Sequence, residues 1–142
     1  MSSVPQPQPA SGFKQLTPQV WVSGQIDGDD LRRAAAAGVR VVVNNRPDGE
    51  SPDQTPGVQI AQAAGELGLR YVYAPVAGRP DETAISLLRE AIAGADGPVL
   101  VYCRSGARSV MVWALAEASS GAPRDTIRAQ AAACGYDLSG WI

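Results

Sequence analysis

Cys103-Arg104-Ser105-Gly106-Ala107-Arg108-Ser109 is the stretch of this chain whose residue types and spacing can do chemistry. A thiol, two guanidinium groups, a glycine and two hydroxyls fall together there. Only the thiolate form of cysteine is a strong nucleophile, and a free thiol titrating near ~8.5 is a few per cent ionised at neutral pH. The apolar run Val99 to Tyr102 precedes the loop as a strand, and an almost wholly apolar helix follows it. That order sets the sulfur just ahead of a helix N-terminus, where the first backbone N–H groups lack intrahelical partners. A helix dipole contributes about 0.3–2 kcal/mol to an anion, which is too little alone. The expectation is therefore that several amides between Ser105 and Ser109 curl around the sulfur, with Gly106 supplying a left-handed turn. Arg104 and Arg108 add positive charge. On this reading Cys103 is the nucleophile and Arg108 its catalytic partner, while Arg104, Ser105, Gly106, Ala107 and Ser109 bind an anion. An inert, half-buried cysteine is the plainer alternative.

Composition narrows the chemistry further. The 142 residues contain no histidine, which removes Ser-His-Asp and Cys-His catalysis because no imidazole base exists. Two cysteines without histidine also fall short of the usual zinc ligand set, so neither a metal nor a cofactor is expected. Formal net charge is −2 and the sequence pI is about 5.0, which argues against nucleic-acid and anionic-membrane partners. No apolar run approaches the ~18 residues of a membrane span, and the N-terminus lacks a signal-peptide pattern. Two cysteines, one in an activated-looking loop, suit a reducing compartment, and the cytoplasm is the expected location. Cys134, behind an alanine run, reads as a small core residue.

The elements that must position the loop follow from period and punctuation. Met1 to Gly12 (MSSVPQPQPASG) is Pro-, Gln- and Ser-rich and reads as a disordered tail, leaving residues 13–142 as one catalytic domain. Phe13–Leu16 and Val20–Ser23 read as short strands. Asp27-Gly28-Asp29-Asp30 opens a helix through Ala37; the acidic trio fits a helix start better than a metal site. Val39–Asn44 is a continuously apolar strand of the kind covered on both faces. After the loop Asn45–Pro52, a helix runs from about Pro56 to Leu67. Thr55 is its expected N-cap, and Ile60, Ala61, Ala64 and Leu67 form its inner face. A strand at Arg70–Ala74 leads through the turn Ala77–Pro80 to a helix capped by Asp81, with Ile85, Leu88 and Ile92 facing inward. A last helix starts at Pro123 and closes near Gly135. Strands alternating with helices imply an α/β domain with a mostly parallel sheet of four to five strands and helices on both faces. Ligands of such sheets sit beyond the carboxyl ends of the strands. The Cys103 loop, the Asn45–Glu50 loop, the Ser23-Gly24-Gln25 turn and the Ala77–Asp81 turn should then share one rim, with Arg46, Asp48, Gln25 and Asp81 as candidate pocket residues.

Cys-x4-Arg-Ser after a buried strand, with VSGQI early and NNRPDGE in the middle, resembles a bacterial phosphatase-like family. That family also forms the first domain of beta-lactamase hydrolase-like fusion proteins. The resemblance runs from about Phe13 to Leu138 and implies a fold similar to the tyrosine and dual-specificity phosphatases. Two departures matter. Protein phosphatases place five residues between nucleophile and arginine, whereas four intervene here, as in the loop of rhodanese sulfurtransferases. The position of the usual acid aspartate falls in Pro75–Asp81, where alanine and glycine stand and Asp81 is better placed as a cap. The leading expectation is therefore a rhodanese-type sulfurtransferase, in which Cys103 carries a persulfide between a small sulfur donor and a thiol acceptor. Its sulfite or thiolate leaving group needs little protonation. The alternative is a phosphatase, with Arg108 on the phosphoryl oxygens and Asp81 or Asp48 as acid. A silent anion-binding domain is the third reading. Ser109 either donates to the thiolate or caps backbone.

Overall fold

The structure is a computed structural model and describes residues 12–142; all of the expected tail except Gly12 lies outside them. Strands β1 (Lys14–Thr17) and β2 (Val20–Ser23) form an antiparallel hairpin. Thr17 Oγ1 accepts the N–H groups of Gln19 and Val20 at its turn. The remaining strands, β3 (Val41–Asn44), β4 (Arg70–Tyr73) and β5 (Val99–Tyr102), are joined by helices and pair in parallel. The five-stranded order is β1-β2-β5-β3-β4, so the expected mostly parallel α/β sheet is present. Register fixes the rim. Ser23 and Asn44 both stand level with Tyr102, and Asn44 with Tyr73. Four strands thus end at one height, and the segments that leave them start side by side.

Helices α1 (Gly28–Ala36) and α2 (Gly57–Glu66) belong to one face of the sheet, and α3 (Glu82–Gly94), α4 (Ala107–Ser119) and α5 (Arg124–Ala133) to the other. Successive strand residues point to opposite faces, which splits each apolar strand between two cores. Val20, Val22, Val41, Val43, Val99 and Val101 pack with Leu88, Val110 and Ile127. Trp21, Val42, Leu100 and Tyr102 pack with Leu31 and Ile60. This is why β2, β3 and β5 read as unbroken apolar runs. Helix α4 is buried continuously from Ser109 to Ala114, as its sequence requires.

Helix starts follow the sequence at α1 and α3 and depart from it at α2. Asp27 and Asp30 form a reciprocal capping box at α1, and Asp81 Oδ1 accepts the Ala84 N–H at 2.9 Å. At α2 the N-cap is Pro56, not Thr55, and its side chain supplies no cap. The orphan N–H of Gly57 is instead satisfied by Asp48 Oδ1 at 2.8 Å, nine residues upstream. Leu67, expected on the inner face, is 36% exposed because the chain turns out of the helix there.

Candidate active site

Cys103 follows β5 directly and its side chain is fully buried. Gly106 adopts φ 93°, a left-handed conformation open chiefly to glycine. That turn swings its N–H onto Cys103 Sγ at 3.1 Å. The sequence led to an expectation of several amides on the sulfur; among the described residues one, that of Gly106, donates to it. The neighbouring chain is close: a Cβ on Gly24 would lie 2.8 Å from the Arg104 carbonyl oxygen, which accepts the Gln25 N–H at 3.1 Å. Close backbone approach therefore clamps the loop against the end of β2.

Arg108, at the start of α4, donates from Nη1 and Nη2 to the two carboxylate oxygens of Glu50, at 2.8 and 2.9 Å. Nη1 also donates to the Val76 carbonyl at 2.7 Å. Hydrogen bonds from Arg108, helped by those from Arg46, hold the Glu50 carboxyl down at about 2. The Glu50 bond, with the charge of Cys103 adding, moves the Arg108 guanidinium the opposite way. Arg46 is only 3% exposed. It donates to Glu50 Oε1, Gln25 Oε1 and Ser51 Oγ at 3.0, 2.9 and 3.2 Å.

Thus the four predicted rim segments do meet. Gln25 reaches Arg46, Arg46 and Arg108 share Glu50, and Gly78 and Pro80 of the Ala77–Asp81 turn line a cavity with Arg108, whose Nη1 donates to Val76 just before that turn. Asp81 takes its expected place as the cap of α3, while other residues depart from their expected roles. Arg46 and Gln25 brace Glu50 from behind. Asp48 and Asp81 each spend a carboxylate oxygen on the N–H of a helix start, so neither is placed as a free acid. Ser109 Oγ donates to Asn45 Oδ1 at 2.8 Å and serves neither the thiol nor the backbone. Arg104 and Ser105 are exposed, and Ala107, also exposed, lines the pocket beside Arg108. Cys134 is buried, its Sγ 3.2 Å from the Gln15 carbonyl, as a core cysteine should be.

Glu50, Asn45 and Tyr136 were not singled out by the sequence. Glu50 stood in a recognised rim loop beside Arg46, which was a usable signal; Tyr136 carried none. Its hydroxyl donates to the Ser105 carbonyl at 2.9 Å. Beside the loop opens a cavity of about 290 Å³ lined by Pro80, Ala107, Arg108, Met111, Leu138 and Trp141, with Asp137 at its wall. Ser139 donates backbone and side-chain hydrogen bonds that keep the Asp137 carboxyl below the usual range. A larger cleft of about 520 Å³ between α3 and α4 involves none of these loop residues.

Fold and loop together define a cysteine-based, phosphatase-like domain of the tyrosine-phosphatase fold. The model of the beta-lactamase hydrolase-like protein phosphatase-like domain matches residues 12–120, and the chain belongs to that family. A beta-lactamase hydrolase-like protein of Xylella fastidiosa strain Temecula1 is 42% identical over 120 residues. That match takes in 82% of this chain and 28% of the relative, so the chain spans about a quarter of the length of that protein. A crystal structure from Neisseria meningitidis Z2491, described as a "putative phosphatase", is 30% identical with a TM-score of 0.80, covering 93% of this chain and 94% of that one. The active form of Tk-PTP, 18% identical with a TM-score of 0.67 over 84% of each chain, shares the fold. Among the described residues no helix is long and apolar enough to cross a membrane. These likenesses favour the phosphatase alternative over the sulfurtransferase reading that the short loop had put first.

Proposed function

We propose that this domain hydrolyses phosphomonoesters through a phosphocysteine intermediate. One observation carries the reading: a buried sulfur accepting the Gly106 amide stands beside Arg108 at the common rim of four strands. Guanidinium has five N–H donors in a planar fork. Glu50 occupies the end of that fork and the Val76 carbonyl takes one further hydrogen. The Nε–H and one Nη2–H are taken by neither Glu50 nor Val76, and they lie on one edge, toward Cys103, suited to two phosphoryl oxygens. Cys103 Sγ attacks phosphorus, the S–P bond forms and the ester P–O bond breaks. Water then cleaves S–P, releasing phosphate and restoring the thiolate.

The leaving group shapes the substrate class. Asp48 and Asp81 are committed as caps, and Asp137 is held in its ionised form. Among the described residues no carboxylic acid is poised to donate, so esters of acidic alcohols such as phenols leave most readily. The cavity walled by Pro80, Met111, Leu138 and Trp141 offers such a group an apolar seat beside Arg108.

The deciding experiment compares aryl-phosphate hydrolysis with sulfur transfer from thiosulfate to cyanide on one preparation. Phosphate release that disappears in Cys103→Ser supports the proposal. Thiocyanate formation with a persulfide on Cys103 and no phosphate release overturns it. Absence of both activities, with phosphate binding retained in Cys103→Ser, would instead make this a silent anion-binding domain.

A further inference from the structure

Tyr136 lies beyond the residues 12–120 that the family model matches, yet it touches the middle of the cysteine loop. Its hydroxyl donates to the Ser105 carbonyl at 2.9 Å. The same peptide unit carries the Gly106 N–H, which donates to Cys103 Sγ at 3.1 Å. No peptide bond among the described residues is cis, and in a trans peptide the C=O and N–H point in opposite directions. Fixing one end of this unit therefore fixes the other. We propose that Tyr136 is a positioning residue for the nucleophile: it pins the Ser105 carbonyl outward and thereby holds the Gly106 amide on the sulfur.

Three observations support the assignment. Burial pushes the Tyr136 phenol up, with the sulfurs of Cys103 and Cys134 adding to the effect, so the hydroxyl keeps its proton and remains a donor. The Lys14 ammonium lies 4.9 Å from the ring centroid and holds the ring from the far side. A Cβ on Gly106 would come within 2.2 Å of the Tyr136 oxygen, so the two residues fit only because position 106 is glycine. A left-handed glycine alone leaves the peptide free to rotate between turn types; the Tyr136 bond selects the orientation that faces sulfur. Among the described residues, Lys14 at the ring, Cys134 and Asp137 near Tyr136, Arg108 beside the sulfur and Glu50 on Arg108 are charged or titratable groups around this arrangement. Tyr136→Phe leaves all of them in place.

The inference rests on Cys103 as nucleophile but not on the identity of the electrophile, so its test does not need turnover. In Tyr136→Phe the ring, its packing and the Lys14 contact remain while the hydroxyl is lost. The rate of Cys103 alkylation by iodoacetamide is followed against pH, with peptide mass spectrometry separating Cys103 from Cys134. The expected result is a profile moved roughly half a pH unit toward alkaline, with alkylation on its acid limb slowed about threefold. Circular dichroism should show an unchanged fold. A profile superimposed on the parent's overturns the proposal, even if phosphatase turnover falls. If neither protein hydrolyses phosphate but the profiles differ as stated, the phosphatase reading fails and the role of Tyr136 stands.

Discussion

Arg108 and Glu50 lie 58 residues apart in the chain and meet end-on, both Nη atoms donating to the two carboxylate oxygens. Glu50 is itself fixed by Arg46, whose guanidinium is braced by Gln25 and Ser51. Arg108 is therefore aimed by a chain of partners that never touches the sulfur. In Glu50→Gln an amide N–H faces a guanidinium N–H and the fork is released. Catalysis is sensitive to misplacement of this size, and kcat/KM for an aryl phosphate should fall about 10- to 100-fold. A rise would show that Glu50 competes with substrate for Arg108 instead of orienting it.

The same carboxylate makes stability depend on acid. The Glu50 carboxyl lies at about 2 in the folded protein against 4.5 for its ordinary value. Because the folded value is depressed, its contribution is complete above pH 4.5 and is lost as pH falls toward 2. A quarter of the side chain remains exposed, so solvent screening limits the effect to on the order of 1–2 kcal/mol. Urea unfolding of the parent at pH 6 and pH 3 should show the loss, and Glu50→Gln should show less of it. Equal pH dependence in the two proteins would assign the acid sensitivity to other carboxylates.

Arg108→Lys keeps the charge and removes the fork. A lysine ammonium cannot occupy Glu50 end-on, reach the Val76 carbonyl and still present a two-pronged edge. The expected loss of kcat/KM exceeds about 100-fold, with the fold retained by circular dichroism. Near-parental turnover would remove Arg108 from the mechanism.

The parts of this site visible in the sequence are those set by neighbours in the chain. Cys103, Gly106 and Arg108 are joined by a strand, a turn and a helix start whose signals are all local, and β5 falls on Val99–Tyr102 as expected. The common rim followed from a rule about parallel sheets, and the level register of Ser23, Asn44, Tyr73 and Tyr102 realises it. Pairings across the rim had no such signal. Glu50 could meet Arg104 or Arg108 equally well on paper, and nothing around Tyr136 points to Ser105. Asp48 was a rim candidate whose local signal, Pro-Asp-Gly, speaks only for a turn; nothing nearby in the chain points to its long-range cap on Gly57. Loop length and family point apart on the chemistry: four intervening residues favoured sulfur transfer, while membership of a phosphatase-like family favours the phosphatase alternative.

Asp81 and Asp48 discriminate capping from acid catalysis. Each accepts a helix-start N–H at 2.9 and 2.8 Å respectively. Asparagine preserves a capping oxygen but cannot give up a carboxylic proton. Asp81→Asn and Asp48→Asn should keep kcat within about twofold, whereas Asp81→Ala should cost about 1 kcal/mol in urea unfolding. A drop of about 100-fold in kcat for either asparagine variant, with the alkaline limb lost from the pH–rate profile, would restore that residue as the acid.

Ser109 separates structure from chemistry most sharply, because its hydroxyl stands within the cysteine motif yet turns away from the sulfur. Ser109 Oγ donates to Asn45 Oδ1 at 2.8 Å. Asn45 Nδ2 donates to the Ala74 carbonyl at 2.8 Å, and the Asn45 backbone N–H to the Tyr102 carbonyl at 2.8 Å. One buried amide thereby ties α4 to the ends of β4 and β5. Ser109→Ala leaves Asn45 Oδ1 buried without its donor, which costs about 1–3 kcal/mol. For a chain of this size that is a fall in Tm of roughly 3–10 °C. Turnover and Cys103 alkylation measured well below Tm should stay close to parental. Loss of either at an unchanged Tm would mean that the hydroxyl swings to the thiolate during the reaction, and that the Asn45 bond is only its resting place.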